Sequence, residues 1–413
     1  MAIKLAVVQY GDYKAAIEAR QQGKNETYRA QYYSMDAVDQ FLETSGKALV
    51  ICLNTKSYHI EVDNYELIGG QFEPSSSGIA YHRDVQKSAN TICDHLKTFA
   101  PTHLLIRAPG WVMTLVGGWG IKNKISVLPI FADYFDTTTW KQRLRKKRMV
   151  HLLNSQSIPV VCNHNLPACQ SMRTAGVDQN KILTYDWPAI RYPENHPVKS
   201  LPDKNENATI VYAGSVSESK GVGDLLEAIR LLKDDNCKCQ LFICGKGADY
   251  DTYRHHVQQS SIRDSVTFEG LLSNTDVLKK MEEATLVVVP SHSEFPEGLP
   301  NVIYESFETR TPLVCSDHPS FKQLLTPEEG CLFFPQKSPK TLADRIRRAL
   351  TSESDYTALS RTTSQAWQRV QCPLTFGQVL TAWKQSTDDA LTKLLKKGGL
   401  KSVEHATKTA SNN

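Results

Sequence analysis

No run of about 18 apolar residues occurs in this 413-residue chain, which argues against a membrane-spanning helix. The first residues, Met1-Ala-Ile-Lys-Leu-Ala-Val-Val-Gln-Tyr10, lack a charged segment followed by a long apolar one. They read as a first strand rather than a signal peptide. A surplus of one charge is missing too: 48 Lys and Arg face 44 Asp and Glu, a formal net charge of +4. That balance disfavours a dedicated nucleic-acid binder. The ten cysteines are scattered, and Cys237-Lys-Cys239 has neither the usual two-residue gap nor a matching second pair. They read as reduced, buried thiols of a cytosolic protein. Gly-x-x-x-x-Gly-Lys-Ser/Thr is absent, as is Gly-x-Gly-x-x-Gly at the glycine turns around Gly214 and Gly245. P-loop and dinucleotide chemistry are thereby disfavoured. No Asp-x-Asp suited to a metal-bound diphosphate stands out, and Asp234-Asp235 and Asp388-Asp389 read as surface pairs. No metal site is expected. No short internal repeat is seen.

What is present is an alternation of strand-like and helical stretches, the mark of βα units and parallel sheets. The strands expected in the first half are 3–9, 48–53, 102–107, 125–131, 158–162 and 181–185. In the second half they are 209–213, 240–244, 265–268, 286–290, 312–315 and 331–334. Two sets of six suit two doubly wound domains, 1–186 and 209–370. Residues 187–208, with four prolines (Pro188, Pro193, Pro197 and Pro202) and several polar residues, read as a linker. Phe376, Val379, Leu380 and Trp383 fall at helical spacing, placing a C-terminal helix within 371–400. The small, polar stretch 401–413 is expected to be disordered.

The most informative stretch is Ser291-His-Ser-Glu-Phe-Pro-Glu297-Gly-Leu-Pro-Asn-Val-Ile-Tyr-Glu305-Ser-Phe. It follows the apolar run Leu286-Val-Val-Val-Pro290, a buried parallel strand by composition. Glu297 therefore lies in a loop at a strand's carboxyl end, and Glu305 one to two turns inside the next helix. Between them the segment Gly298-Leu299-Pro300-Asn301 would gather the backbone N–H groups of its non-proline residues at the helix N-terminus, a site for an anion such as a diphosphate. Two carboxylates beside an anion site suit a ligand with both phosphates and vicinal hydroxyls, such as a nucleotide-sugar. A solvated charge and a helix-start carboxylate are the plain readings of the pair.

Upstream, Val211-Tyr-Ala-Gly214-Ser215-Val-Ser-Glu-Ser-Lys220-Gly221 reads as strand, glycine turn, then helix. Gly214 would admit a ligand close to the backbone, and Lys220 would reach a phosphate. A surface lysine in a βα loop is the plain reading.

In order from Thr209 to Leu350, these signals resemble the donor domain of a retaining family 4 glycosyltransferase of the GT-B fold. They comprise the Gly214 to Gly221 turn, Cys244-Gly245-Lys-Gly247, Val266-Thr-Phe-Glu-Gly270, the Pro290-Ser291 strand end, the Glu297 and Glu305 pair, and Pro312-Leu-Val-Cys-Ser-Asp317. The resemblance implies that Glu305 holds the ribose hydroxyls and that Glu297 faces the transferred sugar and its developing positive charge. Lys220 matches the lysine of the family's diphosphate clamp. Ser215 stands where the family usually has arginine, which weakens that clamp. Gly245 belongs to the same donor-binding set.

The first half carries fainter signals. Gly11, after the first strand, and Gly23 with Glu26, before a helix, resemble the family's glycine loops facing the diphosphate, without the doubled glycine. Ordinary turns are the other reading. Asp133, in Ile130-Phe-Ala-Asp-Tyr-Phe, stands near the position where many members carry histidine and would position the acceptor hydroxyl; helix N-cap is its plain reading. His164 would lie at the cleft edge or serve as a satisfied structural histidine. Between Lys141 and Arg148 lie six cations, edged by Trp140, Leu144, Met149 and Val150. Such a helix can dock on anionic lipid headgroups, or be a solvated face.

The expectation is thus an α/β protein of two Rossmann-like, doubly wound domains facing across a cleft (GT-B), with the C-terminal helix crossing back to the first. It would transfer a sugar from a UDP- or GDP-sugar to a glycan or lipid-linked acceptor, with retention, no cofactor and no metal. The setting would be lipopolysaccharide or polysaccharide assembly, in the cytoplasm or at the inner face of the membrane. A nucleotide-sugar-binding subunit with a decayed clamp, a nucleotide-sugar epimerase and an inverting transferase remain open.

Overall fold

Strands rich in Val, Ile and Leu build two sheets buried on both faces, as parallel strands covered by helices require. A computed structural model of the chain describes residues 3–43, 46–72, 78–135, 139–203, 206–385 and 388–411; for residues 78, 79, 141, 142, 145, 388 and 408–411 it describes the backbone alone. The chain divides into two units. The first comprises residues 1–24, 30–188 and 372–413; the second comprises 25–29 and 189–371.

In the first unit, β1 (Lys4–Tyr10), β2 (Lys47–Leu53), β3 (Tyr58–Val62), β4 (Tyr65–Gly70), β5 (His103–Ile106), β6 (Ser126–Phe131), β7 (Val161–His164) and β8 (Ile182–Tyr185) form one sheet. Its order is β3-β4-β2-β1-β5-β6-β7-β8, parallel except that β3 runs antiparallel to β4. The hairpin β3–β4 is absent from the sequence expectation. It turns at Asp63, whose φ of 52° is left-handed, and β3 is a half-exposed edge strand too polar to stand out as a buried run.

In the second unit, β9 (Ala208–Ala213), β10 (Cys239–Cys244), β11 (Val266–Gly270), β12 (Leu286–Val289), β13 (Leu313–Ser316) and β14 (Cys331–Phe334) form an all-parallel sheet ordered β11-β10-β9-β12-β13-β14. All six strands expected there are found. The order reverses beside β9: the chain moves outward to β10 and β11, then returns to place β12 on the other flank of β9. In open α/β sheets the crevice outside such a reversal is where ligands bind. Each unit is thus a doubly wound α/β domain of the expected class.

Two boundary expectations change, those for 187–208 and for 401–413. The stretch 187–208 is no loose linker, since from Ala189 it is fastened to the second unit. Lys199 Nζ donates to the carbonyls of Met281, Glu282 and Ala284 and to Thr311 Oγ1, at 2.6 to 3.0 Å. Those carbonyls end the helix Asn274–Glu283, and its exposed C-terminal acceptors attract a cation. Nearby, Arg310 Nε donates to the Pro193 carbonyl at 2.7 Å. The chain from Cys372 belongs to the first unit, where Trp383 stacks on Phe41 at 5.2 Å and donates to Ser126 Oγ at 2.9 Å. Finally, Leu400–Ser411 is a helix rather than a disordered tail. Leu400 and Val403 are buried, and Glu404 accepts from Arg173 at 2.7 Å and Gln170 at 2.8 Å. Two apolar anchors and one anion suffice to dock a stretch that composition alone marks as polar. Residues 412–413 lie outside the described residues.

All ten cysteines are unpaired. Among the described residues, no helix is long and apolar enough to cross a membrane.

Candidate active site

The reversal beside β9 gathers most of the second-half candidates. After β9 the chain turns at Gly214, and after β10 at Gly245, with φ of 151° and 148°. A Cβ on Gly245 would fall 1.9 Å from the Gly214 carbonyl oxygen, so the two turns touch through bare backbone. Ser215 lies in the same layer: its carbonyl accepts from Tyr212 Oη at 2.6 Å, and its Oγ would sit 2.7 Å from a Cβ on Gly247.

Gly221 fixes Lys220. Its φ of 71° starts the helix Val222–Asp234, and a Cβ there would lie 2.1 Å from the Pro290 carbonyl oxygen. Only glycine lets the lysine turn press against the end of β12. His292 adds two stitches, its N–H to the Ser219 carbonyl at 2.9 Å and its Nε2 to Asp224 Oδ2 at 2.7 Å. From the other flank, Ser316 Oγ donates to the Ser291 carbonyl at 2.6 Å and Ser320 Oγ to the Glu297 carbonyl at 2.7 Å. The loop from Ser291 to Glu297 is therefore held on both sides.

Within it, Lys220 Nζ forms an ion pair with Glu297 Oε1 and stands 4.0 Å from the centre of the Phe295 ring. Both charged side chains are about nine-tenths enclosed. Glu297 Oε2 is buried with no hydrogen-bond partner among the described residues. A buried carboxylate oxygen left unpaired costs free energy, on the order of 1–3 kcal/mol, unless something else contacts it. His318, which the sequence reading did not single out, faces the same place. Burial keeps its pKa below the ordinary value, with the charges of Glu297 and Lys220 as smaller influences. Its signal was a histidine two residues beyond β13.

Leu299 is buried, Gly298, Pro300 and Asn301 are half-buried, and Pro300 leads into the helix Asn301–Glu308. Glu305 lies in the second turn of that helix, 3% exposed. Its Oε1 accepts from Asn274 Nδ2 at 2.7 Å, and burial raises its pKa above the ordinary value. Asn274 was another omission from the sequence reading. Its position at the start of a helix marks it as a capping type and gives no sign that it faces Glu305.

The Asp-x-Asp spacing at Asp249-Tyr-Asp251 is used locally, with Asp249 Oδ2 accepting the Glu218 N–H at 2.8 Å. Among the described residues, no group of three or more His, Cys, Asp or Glu is placed to hold a metal ion.

The first-half candidates divide between the units. Glu26 falls in 25–29, counted with the second unit, and its carbonyl accepts the Asn274 N–H at 2.9 Å. Gly11 and Gly23 lie in the first unit, with φ of 89° and 63° and open space where a Cβ would stand. Asp133 stands two residues past the end of β6 and His164 ends the neighbouring β7, and Asn163 links them. Its amide donates to the Asp133 carbonyl at 2.8 Å, and its Oδ1 accepts the N–H groups of Asp133 and His164 at 3.2 and 3.0 Å. Asp133 stands seven residues before the helix Trp140–Leu153, so it is not that helix's cap. Burial raises its pKa above the ordinary value. His164 is buried, with Nε2 on Asp186 Oδ1 at 2.9 Å and Nδ1 against Asn165 Nδ2 at 3.2 Å. On the helix Trp140–Leu153, Trp140, Arg143, Leu144, Lys147 and Arg148 are exposed, while the side chains of Lys141 and Arg145 lie outside the described residues.

Comparison with known proteins adds to this geometry. Residues 194–366 match the family described as "Glycosyl transferases group 1". The chain is 28% identical over 210 residues to glycogen synthase of Mycobacterium tuberculosis, covering 51% of this chain and 47% of that protein. It is 27% identical over 207 residues to the putative teichuronic acid biosynthesis glycosyltransferase TuaC of Bacillus subtilis, covering 49% of each. These matches span about half the length of either relative. Among solved structures, Anabaena HepE in complex with UDP superposes over 95% of this chain and 100% of that one, with a TM-score of 0.61 at 13% identity, which shows a shared fold.

Proposed function

Residues 194–366 are a domain of the glycosyl transferases group 1 family, and from that premise we propose that the chain is a retaining glycosyltransferase. It takes a sugar from a UDP- or GDP-sugar and joins it to a hydroxyl of a glycan or lipid-linked acceptor. The observation that carries this reading is Glu297, whose Oε2 is buried and without a hydrogen-bond partner among the described residues while its Oε1 holds Lys220 beside the reversal of strand order. A carboxylate so placed is a preorganised partner for positive charge on a sugar losing its diphosphate.

The donor's anomeric C–O bond to the diphosphate breaks, and the acceptor oxygen bonds to the same carbon from the same face. The acceptor proton passes to the departing diphosphate oxygen. Lys220 and the N–H groups before Asn301 stabilise the negative charge that forms on that diphosphate. Glu305 accepts the ribose hydroxyls in charge-assisted bonds. The reaction as proposed uses no resident metal and no cofactor. Asp133 is proposed to orient the acceptor hydroxyl, and Gly11 and Gly23 to leave room for ligand. Teichuronic acid biosynthesis, named for one relative, supports surface polysaccharide assembly as the setting. The basic face of Trp140–Leu153 is proposed to meet anionic lipid at the inner side of a membrane.

A second reading is a nucleotide-sugar-binding subunit without turnover. Ser215 favours it, because a hydroxyl offers the diphosphate only a neutral bond. A panel of UDP-, GDP-, ADP- and CMP-sugars, read by thermal shift and slow release of nucleotide, separates the two. A shift with slow hydrolysis of one donor supports the transferase. Donor conversion without acceptor would instead indicate an epimerase. A shift with no turnover, even with membrane lipid extract added, supports the binding subunit; no shift with any sugar nucleotide sinks both readings.

A further inference from the structure

Asn25–Arg29 is counted with the second unit, although Lys24 and Ala30 on either side belong to the first. The segment makes two attachments. The Glu26 carbonyl accepts the N–H of Asn274, and Asn274 in turn donates its side-chain amide to Glu305 Oε1. Three residues on, Arg29 is 6% exposed, and its Nη1 donates to Glu308 Oε1 at 2.5 Å. The guanidinium also stands 5.4 Å from the centre of the Tyr304 ring.

Glu308 follows Glu305 by three residues on one helix, so the two carboxylates lie on one face, both buried. Two buried carboxylates so close disfavour each other's ionised forms. Burial raises both pKa values, and Arg29 is the largest influence lowering them. For Glu305 the other groups are Asn274, which lowers its pKa by hydrogen bonding, Glu308, which raises it, and Arg191, which lowers it less. A protonated Glu305 would lose one acceptor oxygen and the charge that strengthens a hydroxyl contact.

We propose that Arg29 is a positioning residue of the nucleotide site. Its ion pair with Glu308 and the Glu26–Asn274–Glu305 chain keep the Glu305 carboxylate ionised and aimed at the ribose hydroxyls. The inference rests on the nucleotide-sugar reading above. It makes a segment distant in sequence from the donor motifs part of that site.

The test uses UDP-glucose and GDP-mannose, diphosphate diesters with no phosphate group titrating near neutrality. Affinity is measured by calorimetry between about pH 5 and 8. The proteins are the wild type, Arg29→Met, Arg29→Lys and Glu305→Gln, each first shown to be folded by thermal unfolding. The wild type should bind one donor with nearly constant affinity and release no proton on binding. Arg29→Met should lose affinity as the pH falls, approaching about ten-fold per pH unit below the raised pKa of Glu305. Arg29→Lys should restore most of it. A purely structural ion pair would not produce that pH dependence.

If Arg29→Met binds as the wild type does at every pH while Glu305→Gln does not, the inference falls and the nucleotide site stands. Proton release needs only the wild type and Glu305→Gln, so it decides even if Arg29→Met does not fold. Release in the wild type that vanishes in Glu305→Gln would mean Glu305 is protonated before binding, and would overturn the role given to Arg29. If Glu305→Gln binds as the wild type does, or neither donor binds, the underlying site reading falls as well.

Discussion

Gly245 and Gly214 meet so closely that a Cβ on the first would fall 1.9 Å from the carbonyl oxygen of the second. The contact joins the ends of β10 and β9, and both residues have φ near +150°, a region other residues avoid. Gly245→Ala should therefore cost about 1–3 kcal/mol from backbone strain alone, with more from pushing the turns apart. A denaturation midpoint lowered together with donor affinity is the expected result. An unchanged midpoint would mean that the turns adjust freely and that their spacing does not shape the site.

Glu305 offers a test in which stability and binding move in opposite directions. Burial raises its folded pKa above the unfolded value, so the folded state binds the proton more tightly. Stability from this group is then fully present below the unfolded pKa and is lost as pH rises through the folded one. At neutral pH the buried carboxylate is a net cost, which Glu305→Gln removes while keeping an oxygen for Asn274 Nδ2. The variant should melt about 2–4 °C higher for each kcal/mol regained in a unit of this size. Its affinity for nucleotide should fall by about 1.5–3 kcal/mol, the worth of charged hydrogen bonds. A variant that binds fully and melts no higher would remove Glu305 from the site.

How far this was legible in the sequence depends on the range of the interactions. The apolar runs of β9 to β14 and the glycines at 214, 221 and 245 are local signals, and the parallel sheet and the Lys220–Glu297 neighbourhood follow from them. The β3–β4 hairpin was missed because an edge strand such as Tyr58–Val62 carries no buried run. The helix Leu400–Ser411 was missed because its docking depends on partners more than 200 residues away, such as Arg173 for Glu404. Arg29 was invisible for the same reason, since its partner Glu308 lies 279 residues on, and Asn274 belongs to no motif and meets Glu305 only because two separate helices pack together.

Lys199 shows how a lysine in an apparent linker can carry stability. Burial pulls its pKa down to about 7 against the opposing charge of Glu282, and its amine donates to three carbonyls and Thr311 Oγ1. Lys199→Met keeps much of the stem but leaves the carboxyl end of the helix Asn274–Glu283 without its cap. Each carbonyl left unpaired costs on the order of 1–3 kcal/mol, less where water reaches it. A lower urea midpoint with an unchanged slope is expected. Because Asn274 starts that same helix, donor affinity should weaken only as far as the helix loosens, by much less than in Glu305→Gln. An unchanged midpoint would show that the strap from Ala189 onward adds nothing to the unit.

Glu297 and Lys220 should separate by kinetics. Under the proposed mechanism, Glu297 acts on charge that appears only in the transition state, so Glu297→Gln should lower kcat and kcat/KM together, by a factor of about ten or more, with nucleotide affinity spared. Lys220→Met should act on both, because the diphosphate is charged before and after the sugar leaves. It also strips Glu297 of the ammonium that neutralises it. Removing one partner of an enclosed pair leaves the other charge uncompensated, so the double variant should be impaired by less than the product of the two single effects. Steady-state rates and equilibrium binding of the product nucleotide, measured on all four proteins, give both comparisons. A Glu297→Gln protein with full kcat would mean that the buried Oε2 faces something other than the reacting sugar. Strictly multiplicative effects would mean that the ion pair does not persist once donor is bound.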